Sequence, residues 1–170
     1  MSTSIEADLR PLLVGELNPY QSVEDSRYAL YPYPDRSAGG RLCRLVMGLE
    51  PHRYIRAYAR ANLCSGKWSL PVARVRAGQL ADAHPDVPIV LFGSKVCSAF
   101  GREYDPFTFD GRFVRLPHPS GLCRAWNESG AFERAREVLR GAGVMATLEV
   151  SETMSYFKKL CNDDPPHEGG

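Results

Sequence analysis

A loop at residues 116–127, Leu-Pro-His-Pro-Ser-Gly-Leu-Cys-Arg-Ala-Trp-Asn, carries residue types that could do chemistry. It follows a short apolar run and precedes a helical pattern, which predicts a turn from a strand into a helix. Two prolines and a glycine favour a stiff course, so His118, Ser120 and Leu122 would project from a fixed backbone. A histidine held in this way can donate a hydrogen bond or transfer a proton. The alternative is a proline-rich turn whose histidine is merely solvated.

Three other positions follow or end apolar runs in the same manner. The four positions together are Asn18, Asn62, Gly93 and His118. In a parallel sheet the carboxyl ends of the strands meet at one edge, where ligands bind. We therefore expect the loops at these positions to form one cleft.

An aromatic segment at residues 28–34 contains Tyr28, Tyr31 and Tyr33, and its two prolines forbid a regular helix. Aromatic rings held on an extended loop are suited to stacking on a flat ligand. The alternative is that they cover the edge of the core. Tyr33 is our candidate for stacking, with Tyr31 an equal neighbour.

The order of elements predicts the fold class. Apolar runs typical of strands occupy residues 12–14, 61–64, 87–92 and 113–116. Helical spacing predicts helices at residues 37–49, 72–80, 94–100 and 128–140, with turns at 104–111. Strands that alternate with helices predict an α/β protein: a three-layer α/β/α sandwich with a central, mostly parallel sheet of four or five strands. The pairing of residues 144–160 stays open.

Length and composition predict a single domain. The chain has 170 residues, of which 44% are hydrophobic, and we assign residues 1–160 to the domain and 161–170 to a frayed tail. The 21 basic and 20 acidic residues leave a net charge of +1, so any surface for nucleic acid must be local.

The cysteines and the apolar runs predict the cellular compartment of the protein. Five cysteines without close metal spacing suggest buried, reduced thiols and no metal site. No run approaches the roughly 20 apolar residues that span a bilayer, and the first residues do not resemble a signal peptide. We expect a cytoplasmic protein with no membrane contact and no obligate protein partner.

With these residues placed, the chain resembles the uracil-DNA glycosylase superfamily over most of the domain. Residues 116–124 look like its second motif, in which His or Asn precedes Pro-Ser, a small residue or Pro, and an intercalating Leu. Residues 15–20, Gly-Glu-Leu-Asn-Pro-Tyr, look like its first motif, in which Asp or Asn precedes Pro and then Tyr or Gly. Tyr33, Asn62 and the strand end at residues 89–93 fall in the family's order.

The resemblance implies a monofunctional DNA glycosylase without a cofactor. Such an enzyme flips one nucleotide out of DNA and hydrolyses its N-glycosidic bond, which leaves an abasic site. His118 would donate a hydrogen bond to the oxygen of the departing base. Asn18 would position the attacking water and steady the sugar cation, because an amide is no effective general base.

The resemblance also assigns residues that bind the base and the DNA. Tyr33 would stack on the flipped base, Asn62 would read its edge, and Tyr20 would stand where the uracil-specific branch excludes a C5 substituent. Leu122 would fill the space left in the duplex, and Pro119 and Ser120 would contact phosphates. Arg124, with Arg60 and Arg115, would add phosphate attraction. Asn62 could instead bond its own backbone, and Leu122 could be an ordinary apolar anchor.

Two departures from the family's motifs leave the base open. Asn18 stands where the best-known uracil-removing branch has Asp, and Gly121 stands where it has Pro. The second motif is closest to the mismatch-specific uracil and thymine glycosylases, which generally carry Asn or another residue in place of His118. The substrate is then DNA with uracil or a C5-modified pyrimidine, such as those of some phage genomes.

Two other classes of function remain open. One is a nucleic-acid-binding module without catalysis, favoured by the neutral Asn18. The other is a hydrolase of free nucleosides, against which Leu122 argues, since a wedge needs a duplex. A lyase activity would need an amine nucleophile, and Lys67, Lys95, Lys158 and Lys159 lie outside the motifs.

Overall fold

The computed structural model describes residues 8–18 and 26–146. Within them, five strands form one sheet in the order β2-β1-β3-β5-β4. The strands are β1 Leu12–Asn18, β2 Ala59–Ser65, β3 Ile89–Phe92, β4 Thr108–Asp110 and β5 Phe113–Leu116. The first three and β5 pair in parallel, while β4 pairs antiparallel with β5 at one edge. The mostly parallel sheet of the α/β prediction is confirmed.

Helices cover both faces of this sheet. The α-helices are α1 Ala38–Arg41, α2 Pro51–Ala57, α3 Leu70–Ala83, α4 Ser94–Ala99 and α5 Ala131–Gly141. A π-helical turn, Leu42–Val46, continues α1, and 3-10 turns lie at Ser26–Tyr28 and Arg124–Asn127. Together with the sheet they make the expected α/β/α sandwich.

The alternation of side chains along β1 separates two apolar cores. Leu12 and Val14 pack with the buried residues of α3 and α4. Leu13 points to the other face and packs with residues of the π-helical turn, α2 and α5. The central strand is therefore buried on both faces, which is why its sequence reads as a continuous apolar run.

Several element boundaries differ from the sequence-based prediction. β1 does not end at Val14 but pairs with β2 as far as Asn18, opposite Ser65. Asn62 consequently lies inside β2, opposite Gly15, and not in the loop after the strand. The prediction of a strand-end Asn62 was wrong because hydrogen bonding between neighbouring strands, invisible in the sequence, extends both strands by several residues.

Other differences have local causes. Thr108–Asp110 forms a strand where only turns were predicted, because the antiparallel pairing with β5 supplies its hydrogen bonds despite its exposed side chains. Helix α4 begins at Ser94 with Gly93 at its N-cap, so Ser94 is not the cap. Helix α5 begins at Ala131, after Gly130 in the left-handed region. Pro51 begins α2 and does not merely end the preceding helix.

The described residues bear on the expectations about the cysteines and about a membrane-spanning helix. Cys43, Cys64 and Cys97 are buried free thiols, and burial raises the pKa of Cys43 and Cys97. No helix among residues 8–18 and 26–146 has the length and apolar character needed to cross a membrane. The expected tail at 161–170 and the unassigned pairing of 144–160 beyond residue 146 lie outside the described residues.

The aromatic segment at residues 28–34 is tied to the sheet and helices through its backbone. The Tyr54 hydroxyl donates to the Leu30 carbonyl over 2.9 Å, and the Arg60 guanidinium donates to Ala29 over 2.8 Å. The Ser37 hydroxyl also donates to the Tyr31 carbonyl, over 3.3 Å. A side chain at Gly39 would collide with the backbone of Leu30 and Tyr31, so the glycine permits α1 to pack directly on the segment.

We expect Tyr54→Phe to lower the free energy of unfolding by about 1–3 kcal/mol, because the buried Leu30 carbonyl loses its donor. Urea unfolding followed by circular dichroism measures this. Tyr104→Phe is the matched control, since the Tyr104 hydroxyl has no hydrogen-bond partner among the described residues. Equal unfolding midpoints for the two variants would contradict the anchoring role of Tyr54.

Candidate active site

A cavity of about 370 Å³ opens at the carboxyl edge of the sheet, within the usual size range of small-molecule sites. Strand β1, the aromatic segment, α1, β2 and the loop after β5 all contribute to its walls. Its lining residues are Glu16, Leu17, Tyr28, Leu30, Tyr31, Tyr33, Pro34, Ser37, Ala38, Gly39, Asn62 and His118. Three of the predicted site residues, Tyr33, Asn62 and His118, therefore meet in one place.

The hydrogen bonding of His118 determines which ring nitrogen carries the proton. The backbone N–H of Ser120 donates to Nδ1 of His118 over 3.2 Å. A neutral imidazole with Nδ1 as acceptor holds its proton on Nε2. Burial lowers the pKa of His118, while Glu16 raises it and Lys95 lowers it by smaller amounts. The ring is thus a neutral hydrogen-bond donor near pH 7.

The loop that carries His118 is held from three sides. Nε1 of Trp126 donates to the His118 carbonyl over 2.8 Å, and Nε of Arg41 donates to the Pro119 carbonyl over 3.2 Å. The Trp126 ring is buried and stacks on Phe132 at 5.4 Å between centroids. Gly93 lies beside the Cβ of His118, and its φ of 93° is in the left-handed region that favours glycine. The predicted stiffness of this loop comes from these contacts as well as from its prolines.

Asn62 is the one polar side chain that is buried among the described residues, with 4% of its surface exposed. Its amide makes no hydrogen bond within that part of the chain, and it lines the cavity. A side chain at Gly15, opposite it in the sheet, would collide with Oδ1 of Asn62. Gly15 therefore makes room for an amide whose donor and acceptor groups are free to bind a ligand.

The aromatic segment forms one wall of the cavity. The rings of Tyr28 and Tyr31 lie 6.0 Å apart edge to face, and those of Tyr31 and Tyr33 lie 5.9 Å apart. Tyr33 is 52% exposed and has the guanidinium of Arg44 5.5 Å from its ring centroid. Tyr31 and Tyr33 both line the cavity, so either ring can serve as the stacking surface.

The four residues predicted to contact DNA occupy different environments. Leu122 is 94% exposed, and Arg124 is exposed in the 3-10 turn that follows. Pro119 is buried, and the Ser120 N–H is already bonded to His118, so neither ring nor N–H faces outward freely. Leu122 and Arg124 are accordingly the better placed of the four for contact with a macromolecule.

Two predicted site residues, Asn18 and Tyr20, lie at or beyond the end of the described range 8–18. Asn18 ends β1 at the same edge as the cavity, and only its backbone is described. Tyr20 lies outside the described residues.

Arg60 lies away from the cavity, where it supports the aromatic segment, and Arg115 donates to the Glu103 carbonyl over 3.2 Å. These two arginines serve the fold and are not part of the cavity wall.

Sequence reasoning missed Glu16 and Lys95. Glu16 lines the cavity, with 21% of its side chain exposed, and its carboxylate pairs with the Lys95 ammonium over 3.0 Å. The signal for Glu16 was its position two residues before Asn18, inside the motif already singled out. Lys95 carried no such signal, since only the packing of α4 beside β1 brings it to the site.

The chemical groups of the cavity are a neutral imidazole donor, an unpaired amide, a carboxylate and aromatic faces. Among residues 8–18 and 26–146, no group of three or more His, Cys, Asp or Glu is arranged to hold a metal ion. Such a set can bind a flat, polar ring by stacking and hydrogen bonding, and can stabilise charge of either sign.

Comparison with known proteins finds no match for this chain among protein-family models, curated proteins or solved structures.

We expect His118 to titrate below its ordinary value of about 6.5, with the proton of the neutral ring on Nε2. Because the folded pKa is depressed, the unfolded chain takes up this proton first, so folding stability falls as the pH drops below about 6.5. NMR titration of the nitrogen-labelled imidazole, assigned with His118→Gln, measures the pKa and shows which ring nitrogen carries the proton. A raised pKa, or a proton on Nδ1, would contradict the hydrogen bond from Ser120.

Proposed function

We propose that this protein is a monofunctional DNA glycosylase that excises uracil or a C5-modified pyrimidine and leaves an abasic site. The observation that carries the proposal is the meeting of His118 and Asn62 in one cavity at the carboxyl edge of the sheet. His118 belongs to the second motif that resembles the uracil-DNA glycosylase superfamily, and Asn62 falls in that family's order of residues. Asn62 lies in β2 and His118 in the loop after β5, so the two residues come from distant parts of the chain.

Cleavage of the N-glycosidic bond sends an electron pair to the base, whose oxygen gains negative charge. A neutral His118 with its proton on Nε2 can donate a hydrogen bond to that oxygen, and its contribution grows as the charge develops. A lowered pKa suits this role because the ring needs no protonation to act as a donor. The main contribution of His118 to catalysis is therefore stabilisation of the departing base.

Base recognition falls to Asn62 and the tyrosines. The Asn62 amide lines the cavity and makes no hydrogen bond to the described residues, so the edge of a pyrimidine can supply its partners. Stacking of the base on Tyr31 or Tyr33 would add sequence-tolerant affinity. This combination selects a flat ring with both a donor and an acceptor on its edge.

Contact with the duplex falls to the loop after His118. Flipping a nucleotide costs a few kcal/mol of stacking and pairing. Leu122, almost wholly exposed four residues after His118, is positioned to enter the vacated space. The Leu122 side chain is not part of the core, so it is free to contact a duplex. Arg124 would contact a nearby phosphate.

The partner in this proposal is DNA that contains a damaged or modified pyrimidine. The free cysteines fit a reducing compartment such as the cytoplasm. A non-catalytic nucleic-acid-binding module is the second candidate, favoured by the exposed Tyr33 and Leu122, which would serve binding alone.

The decisive measurement is base release, followed by alkaline cleavage, on DNA duplexes containing uracil, thymine mismatches, or hydroxymethylated or glucosylated pyrimidines. We expect release of one base, and a fall in its rate on the order of 100-fold to 1,000-fold in His118→Ala, with DNA affinity much less affected. His52→Ala, an exposed histidine on α2, is the matched control. DNA binding without release of any base would favour the binding module.

A further inference from the structure

Glu16 reaches the cavity from the face of the sheet opposite to Asn62. It follows the alternation of Leu12 and Val14 along β1, which places it on the side of α3 and α4. Glu16 nevertheless lines the cavity near the end of β1, and its carboxylate is close enough to His118 to raise the pKa of the imidazole. It is the one acidic residue among the described residues that line this cavity.

Lys95 fixes the carboxylate of Glu16 in position. Its ammonium lies 3.0 Å from Oε1 of Glu16, and 5.6 Å from the ring centroid of Trp68. Oε2 of Glu16 has no hydrogen-bond partner among residues 8–18 and 26–146. One oxygen is thus held by the lysine, while the other is free to face a bound molecule. A carboxylate that is four-fifths buried acts through a weaker solvent screen than one at the surface.

Glycosidic hydrolysis creates a charge that none of the other cavity groups can balance. When the bond to the base breaks, its electron pair leaves with the base, and the sugar becomes positively charged. Water then forms the new bond to the anomeric carbon, one of its protons is lost, and the base nitrogen takes up a proton. His118, Asn62 and Asn18 are all neutral, so none of them carries the negative charge that stabilises a cation best.

We propose that the Glu16 carboxylate stabilises the positive charge that develops on the sugar, and that Lys95 is the positioning residue that holds it there. This assignment rests on the proposed glycosylase function. It moves the stabilisation of the cation from Asn18, which retains the positioning of water, to Glu16, two residues earlier on the same strand. The charge of Glu16 is in place before the reaction begins, so it needs no reorganisation as the cation forms.

The test uses two abasic-site analogues in duplex DNA, so it does not depend on knowing the base. One analogue is a pyrrolidine, which is cationic like the transition state, and the other is a neutral tetrahydrofuran. We expect the protein to bind the pyrrolidine at least about 10-fold more tightly. Glu16→Gln, which keeps the shape of the side chain, should abolish this preference and leave tetrahydrofuran affinity within about twofold. Affinities are measured at one fixed salt concentration.

The second part of the test measures the rate of base release from the duplex that the protein cleaves. In single turnovers, Glu16→Gln should lower the rate on the order of 100-fold, the scale for losing one preorganised group. Lys95→Met should reduce the preference for the cationic analogue in part, and Lys95→Arg should restore it. Glu133→Gln is the matched control: it removes one negative charge and one ion pair, with Arg136 on α5, outside the cavity wall.

The outcomes separate the two proposals. If the protein releases a base but Glu16→Gln keeps the preference for pyrrolidine, the role of Glu16 is overturned and the glycosylase stands. Equal loss of affinity for both analogues in Glu16→Gln would also overturn it, because a structural role predicts that result. If the unaltered protein releases no base and binds neither analogue, the glycosylase function itself is overturned.

Discussion

The parallel pairing of β1 with both β2 and β3 is the constraint on which the rest of the structure depends. It makes β1 the central strand and brings the carboxyl ends of its neighbours to one edge. Through this pairing, Gly15 lies opposite Asn62, and Glu16 reaches the open edge. His118 joins them because β5 pairs with β3 in the same direction. The candidate site is thus a consequence of strand direction.

Local features at this edge keep polar groups unpaired and fixed. Gly15 has no side chain, which lets the Asn62 amide be buried beside it, and Gly93 adopts the left-handed backbone that favours glycine next to His118. Trp126 and Ser120 then set the position and the proton of the imidazole. The Asn62 amide has no hydrogen-bond partner among the described residues, and it lines the cavity, where a ligand can supply one.

The two faces of the sheet contribute different chemistry to the cavity. The face toward α1 and the aromatic segment supplies stacking rings and the amide, which suit a flat, neutral base. The face toward α4 supplies the Glu16 and Lys95 pair, which suits a charge that forms during reaction. Under the proposed function, the cavity would recognise the base on one face of the sheet and stabilise the sugar cation from the other.

The sequence by itself determined the alternating α/β order, four of the five strands and the loop that carries His118, because apolar periodicity and turn residues act locally. The end of an apolar run and the order of residues in the resembling family pointed to Asn62, though not to its place inside β2. Only the tertiary structure decided the pairing that extends β1, the short strand β4, the tautomer of His118, and the meeting of Glu16 with Lys95. These depend on contacts between residues far apart in the chain, whose partners no local pattern specifies.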